Sequence, residues 1–142
     1  MGKKRIIKAG KQETKSVSKS TSRGPKRKIE HGVLHINSTY NNTTMLLADD
    51  KGGAVLWSSS GSLGFKGAKK GTPFAAGKVA EQLADKAIAA GLKEIDIVVR
   101  GVGSGRESSI RSFISKGVAI SSIKDKTPVP FNGPKPRKPR RI

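Results

Sequence analysis

Cysteine is absent from the chain, which excludes disulfides, thiolate metal sites and thiol nucleophiles. Histidine occurs only at positions 31 and 35. On a strand His31 and His35 share a face, but no third ligand lies near them in sequence, so neither a metal nor any other cofactor is expected. Aromatic residues make up 4% of the chain, leaving a core to be built from aliphatic side chains. No apolar run approaches the roughly 18 residues of a membrane span. The first residues lack the apolar stretch of a secretory signal, and apolar residues there are too few for the amphipathic face of a mitochondrial presequence. Acidic residues are scarce as well: 10 Asp and Glu stand against 29 Lys and Arg, a formal charge of +19 over 142 residues.

That charge is concentrated at the two ends. Residues 1–31 carry a net +9, residues 124–142 a net +6, and the 92 residues between them only +4. Charge of one sign at such density repels itself, and a polyanion offsets the repulsion. A membrane surface would attract the same charge, but neither end shows the apolar helical face that docking on lipid requires. Nucleic acid is therefore the expected partner. Pro25-Lys-Arg-Lys would pass as a nuclear-localisation run, a pattern common in any basic tail.

The length allows one domain, and the pattern divides it into a basic N-terminal arm (1–31), an α/β RNA-binding core (32–123) and a Pro-rich basic C-terminal tail (124–142). The arm has too little apolar surface to offset its ordering entropy and is expected to be disordered. In the core, Val33-Leu-His-Ile-Asn-Ser-Thr alternates with a period of two and reads as a strand. Tyr40-Asn41-Asn42 supplies a turn, in which Asn would tolerate left-handed backbone. Thr43 to Ala48 and Ala54 to Ser58 read as two further strands joined by the hairpin Asp49-Asp-Lys-Gly-Gly.

Ser58 to Gly71, with four glycines and three lysines, reads as a flexible basic loop with Phe65 at its centre. Thr72 and Pro73 then open a helix whose apolar positions recur to Ile88, with Gly91 as its stop. Ile95 to Arg100 is a mostly apolar run suited to a strand covered on both faces. A second helix carries Ile110, Phe113 and Ile114 on one side, and Val118 to Ile123 forms the last strand. The order β-β-β-α-β-α-β predicts a mixed five-stranded sheet with two helices in a ribonuclease-H-like topology: hairpins join the first three strands, and right-handed crossovers add two parallel ones. Trp57 and Phe74 are expected in the core.

Three segments could carry chemistry. Arg100-Gly-Val-Gly-Ser-Gly-Arg106 leads from a strand into a helix; its amides, Ser104 and the fork of Arg106 could hold a phosphate. The spacing fits neither a dinucleotide fingerprint nor a Walker loop, so a phosphate would belong to a polymer, and a plain helix-capping turn remains the alternative. Lys66, Lys69 and Lys70 could mould to RNA, and Asn41 or Asn42 could read a base edge or a 2′-hydroxyl. The C-terminal segment is held extended by proline, so that Lys135, Arg137, Lys138, Arg140 and Arg141 can run along phosphates. Hydrolysis by a two-metal mechanism needs converging carboxylates; Asp49 and Asp50 sit on a hairpin, and the first strand has none. Glu81 and Asp85 form an i, i+4 pair expected to face water.

Five stretches carry a more specific signal: His35-Ile-Asn-Ser-Thr-Tyr-Asn-Asn-Thr, Ser60-Gly-Ser-Leu-Gly-Phe-Lys-Gly, Gly71-Thr-Pro-Phe-Ala-Ala, Gly103-Ser-Gly-Arg-Glu-Ser-Ser-Ile-Arg and Thr127-Pro-Val-Pro-Phe-Asn-Gly. In this order they resemble the family of the eleventh small-subunit ribosomal protein in its bacterial or organellar form. The resemblance implies a structural, non-catalytic component of the small ribosomal subunit, cytoplasmic rather than organellar. It also implies binding to the ribosomal RNA of the platform, the central domain, near the exit site and the messenger path, beside the sixth, seventh, eighteenth and twenty-first small-subunit proteins. Matching positions add Arg111 and Asn132 to the candidate RNA-binding residues. The chain departs from the family pattern at Phe131, where His is usual, and after Gly133, where Pro-Lys-Pro-Arg replaces Cys-Arg-Pro-Pro. A free architectural nucleic-acid-binding protein is the alternative function.

Overall fold

A computed structural model describes residues 28–141; most of the arm expected over residues 1–31 lies outside the described residues. Five strands form one sheet: β1 (His31–Ser38), β2 (Thr43–Ala48), β3 (Ala54–Ser59), β4 (Glu94–Arg100) and β5 (Ala119–Asp125). Two α-helices, α1 (Pro73–Ala89) and α2 (Gly105–Ile114), follow β3 and β4, and a short 3-10 helix (Gly67–Gly71) precedes α1. The strand order is β3-β2-β1-β4-β5. β1 pairs antiparallel with β2 and parallel with β4, β2 antiparallel with β3, and β4 parallel with β5. This is the expected mixed α/β arrangement. The last strand continues to Asp125.

The hairpin between β2 and β3 closes through backbone bonds from Asp49 to Gly53 and from Gly52 to Asp49, both 2.9 Å, with Gly52 at φ 82°. At the start of α1 the Thr72 hydroxyl accepts from the Ala75 amide at 3.3 Å, satisfying one of the helix's free donors, and Pro73 fits the first turn, where no amide is needed. Gly91, at φ 94°, ends the helix in the left-handed conformation that only glycine adopts without strain.

β1 and β3 run in the same direction, so both crossovers, β3–α1–β4 and β4–α2–β5, step across the sheet the same way. Right-handed connections then place both helices on one face. Leu34, Ile36, Met45, Leu47, Ile95, Ile97 and Val99 point from the sheet toward them and meet Val79, Leu83 and Phe113 in the core. Alanines along α1 and the helical Gly77, whose Cβ would lie 3.0 Å from the Ser112 hydroxyl, let α1 and α2 pack closely.

Among the described residues no helix lies on the other face of the sheet. One cross-strand row on it runs Trp57, Leu46, His35, Val98, Lys124, and the next begins Ser59, Thr44, Asn37, Arg100. β4 was expected to be covered on both faces; Val98 is buried on the face without a described helix, where it lines a depression with residues of the β2–β3 hairpin and Lys126. Trp57 and Phe74 are not core residues: they are 65% and 67% exposed. Trp57 lies on the helix-free face of an edge strand, and Phe74 opens α1 on its outer side, so apolar character alone did not place them inside.

Candidate nucleic-acid interface

The C-terminal ends of β1, β3, β4 and β5 and the start of β2 meet at one end of the sheet, and the loops there lock together through backbone contacts. A Cβ on Gly71 would fall 2.2 Å from the Tyr40 carbonyl oxygen, and one on Gly103 would fall 2.3 Å from that of Thr39. The Ser104 hydroxyl donates to the Gly71 carbonyl at 3.0 Å, and the Gly103 amide donates to the Ser38 carbonyl at 2.9 Å. The glycines of the β4–α2 loop therefore serve close packing against the end of β1.

Asn41 is exposed at this end and Asn42 half-buried. Neither takes the left-handed backbone expected of them; among the described non-glycine residues only Asn132 does, at φ 50°. The turn closes instead through Thr39, whose amide donates to the Asn42 carbonyl at 2.9 Å and whose hydroxyl accepts from the Asn42 amide at 3.1 Å. The Asn42 side-chain amide reaches the Thr44 hydroxyl at 3.4 Å, leaving its oxygen buried and without a partner among the described residues.

The segment expected to be a flexible loop is folded. Turns over 60–64 lead to the 3-10 helix, which carries Lys69 and Lys70 in its last turn. Lys66 stands exposed just before it. Phe65 meets Phe74 edge to face, ring centroids 6.2 Å apart, and the Lys78 ammonium lies 5.7 Å from the Phe74 ring centre. The phenylalanines hold the segment against α1 from outside the main core.

Arg106 is half-buried and bonded within the protein. Its guanidinium donates to the Gly101 carbonyl, to the Thr127 hydroxyl at 3.1 Å and to the Asp125 carboxylate. The hydroxyl of Thr127, then Arg106, hold the Asp125 carboxyl down at about 2. The side chain expected to fork onto a phosphate thus ties the root of the C-terminal tail to the β4–α2 loop. Ser104 and Arg111 instead line a depression of about 300 Å3 between the N-termini of α1 and α2, with Pro73, Glu107 and Ser108. Both helix dipoles present their positive ends there. Arg111 is exposed and paired with Glu107 one turn back. The described residues beyond Thr127 form no regular structure, and Asn132, Lys135, Arg137, Lys138, Arg140 and Arg141 are all exposed.

Five of the nine described acidic residues, Glu30, Asp49, Asp50, Glu94 and Asp96, lie at the opposite end of the sheet, around the start of β1 and β4 and the β2–β3 hairpin, whereas Glu107 and Asp125 at the loop end are each paired with an arginine. His31 lies among them, hydrogen-bonded to Asp50 and 3.9 Å from Asp96; the bond to Asp50 raises its pKa. His35 lies four residues further along the same face, and its pKa is lowered by burial and by Arg100 and Lys126. Glu81 and Asp85 do reach the surface of α1, paired with Lys78 and Lys116. Among the described residues no group of three or more His, Cys, Asp or Glu is arranged to hold a metal ion.

The family model described as ribosomal protein S11 matches residues 32–141. The chain belongs to that family. Two relatives are each 49% identical over 128 residues, covering 87% of this chain and 99% of their own: the small ribosomal subunit proteins uS11 of Thermosipho melanesiensis and of Thermosipho africanus. The S11 family is one of structural ribosomal proteins of the small subunit, components of the ribonucleoprotein that carries out translation.

Sequence reasoning missed Arg100, Lys126 and Trp57 as surface groups beside this interface. Period-two alternation could have found Arg100, which shares a face with Asp96 and Val98; the exposure of Trp57 depends on which face the helices cover.

Proposed function

We propose that the chain binds ribosomal RNA of the platform, the central domain of the small subunit, through the loop end of its sheet and its basic tail. The site lies near the exit site and the messenger path, beside the sixth, seventh, eighteenth and twenty-first small-subunit proteins, in cytoplasmic ribosomes. The observation that carries this reading is the polarity of the molecule: Asn41, Lys69, Lys70, Ser104 and Arg111 share the end from which the tail departs, while five of the nine described carboxylates lie at the other and the two at the loop end are each paired with an arginine. Phosphates are attracted to one end and repelled from the other. In this reading the chain divides into an arm (1–31), an RNA-binding core (32–123) and a tail (124–142), with Lys66 and Asn132 to Arg141 extending the contact. The role is architectural, as it is for the family.

The absence of cysteine supplies the test. A single cysteine at Asn41 or at Arg111 can carry a hydroxyl-radical probe, and the full chain is then assembled into small subunits. Strand cleavage should map to the central domain from both positions. Cleavage confined to another domain, or the chain sedimenting apart from small subunits, contradicts the reading; the second outcome would point to a free architectural nucleic-acid binder.

A further inference from the structure

The helix-free face of the sheet contains groups that the loop-end interface does not use. Trp57, on edge strand β3, is 65% exposed, and its row continues through Leu46, His35 and Val98 to Lys124. Asn37 and Arg100, in the next row toward the loop end, are exposed as well, as is Lys126 just beyond β5. Lys124 and Lys126 line a depression of about 240 Å3 together with His35, Val98 and the acidic residues Asp49, Asp50 and Asp96.

Several kinds of ligand would fit such a face poorly. The depression is below the roughly 300–1,000 Å3 of small-molecule pockets. A protein partner would call for a contiguous apolar patch, whereas Trp57 is the one strongly exposed apolar side chain in these two rows, with Ser59, Thr44 and Asn37 beside it. The carboxylates beside this face, Asp49, Asp50 and Asp96, lie toward its far end and share the depression with Lys124 and Lys126; Asp96 accepts from the Ser122 hydroxyl at 2.7 Å and Asp50 bonds His31. Toward the loop end the face therefore offers an aromatic plane, amide and hydroxyl groups and three cations. Single-stranded nucleic acid needs that combination, because a base of any sequence stacks on a ring while cations follow the backbone. From Trp57 to Lys124 is four strand spacings, on the order of 19 Å, which a few nucleotides can span.

We propose that the open face of the sheet is a second RNA surface, which takes a single-stranded segment by stacking a base on Trp57 and holding the adjoining phosphates with Arg100, Lys124 and Lys126. Asn37 is placed to hydrogen-bond a base edge or a 2′-hydroxyl. The burial and neighbouring cations that lower the His35 pKa keep its ring neutral and able to accept a hydrogen bond. This inference rests on the RNA-binding reading above and adds to it a separate surface with a different substrate, unpaired rather than folded RNA.

Trp57 is the only tryptophan of the chain, so its fluorescence reports this face alone. The full chain is titrated with a short unstructured oligoadenylate and, separately, with inorganic polyphosphate, which has charge but no bases. Oligoadenylate should quench the fluorescence saturably, and polyphosphate should not. By anisotropy with labelled oligoadenylate, Trp57→Leu should bind about five-fold or more weakly, and Arg100→Gln with Lys126→Gln should flatten the log-log salt dependence by roughly 0.7 per lost cation. Absence of quenching, equal quenching by polyphosphate, or unchanged affinity of Trp57→Leu overturns the inference. The same proteins are measured on folded small-subunit RNA. If wild type binds that RNA while oligoadenylate leaves Trp57 unperturbed, only the second surface fails; if wild type does not bind it, the underlying reading fails as well.

Discussion

The guanidinium of Arg106, in the first turn of α2, is bound to the carboxylate of Asp125, the last residue of β5. The pair joins the β4–α2 loop to the point where the basic tail leaves the sheet, so the direction of the tail is set by the same loop that forms the interface. Arg106→Ala should raise hydrogen exchange at the amides of Lys126 and Thr127, which bond to Val99 and Asp125 at 2.9 Å. It should also weaken RNA binding through loss of tail direction while leaving the core folded. Unchanged exchange at both amides would show that the pair anchors nothing.

The depressed Asp125 carboxyl gives that anchor a pH dependence. A carboxyl whose folded pKa lies below its unfolded value stabilises the fold above the unfolded value, here 3.8, and the stabilisation is lost as pH falls through about 2. Wild type should therefore exceed Asp125→Asn in urea midpoint near neutral pH, and the gap should narrow progressively from about pH 4 downward. A gap that stays constant down to the acid limit would mean that the bonds to Thr127 and Arg106 do not form in solution.

Gly71→Ala tests the interlocking of the loops. The added methyl would meet the Tyr40 carbonyl oxygen at 2.2 Å, and backbone cannot step aside as a flexible side chain can. A loss of about 1–3 kcal/mol, typical of overpacking, is expected in chemical denaturation, with a parallel loss of RNA affinity as the β1–β2 turn separates from the 3-10 helix. Full stability in this variant would rule out the close approach.

Phe113 and Phe74 should separate cleanly. Phe113 is fully buried, and Phe113→Ala should cost about 3–5 kcal/mol. Phe74, two-thirds exposed and held by one ring contact and one ammonium, should lose no more than about 1 kcal/mol on replacement by Ala. Equal losses in urea denaturation would place Phe74 in the core after all.

Those two phenylalanines mark the limit of what the sequence discloses. The alternation from Val33, the cap at Thr72 and Pro73 and the stop at Gly91 are local signals, and the strands, helices and sheet topology were legible from them. Which apolar side chains that arrangement leaves outside is a tertiary matter, so Trp57 was misplaced. The ion pair of Arg106 was not legible, because its partner Asp125 lies 19 residues away. The turn at Asn41 and Asn42 was located by composition, but its backbone is settled by the Thr39 hydroxyl.

The tail should act through charge. Removing Pro134 to Ile142, which deletes five cations, should weaken binding to small-subunit RNA and flatten the salt dependence by roughly 0.7 to 0.9 per lost phosphate contact. An unchanged slope would exclude the tail from the interface.

The polarity of the domain is tested most directly by a charge-matched comparison. Lys69 and Lys70 are replaced by Gln at the loop end in one protein, and Lys51 and Lys93 at the acidic end in another, so that both lose the same charge. Equilibrium binding to central-domain RNA of the small subunit is then measured across a range of salt. The loop-end pair should lower both affinity and salt slope, with the acidic-end pair close to wild type. Equal losses in the two proteins would contradict a defined interface and leave only diffuse attraction between a basic chain and RNA.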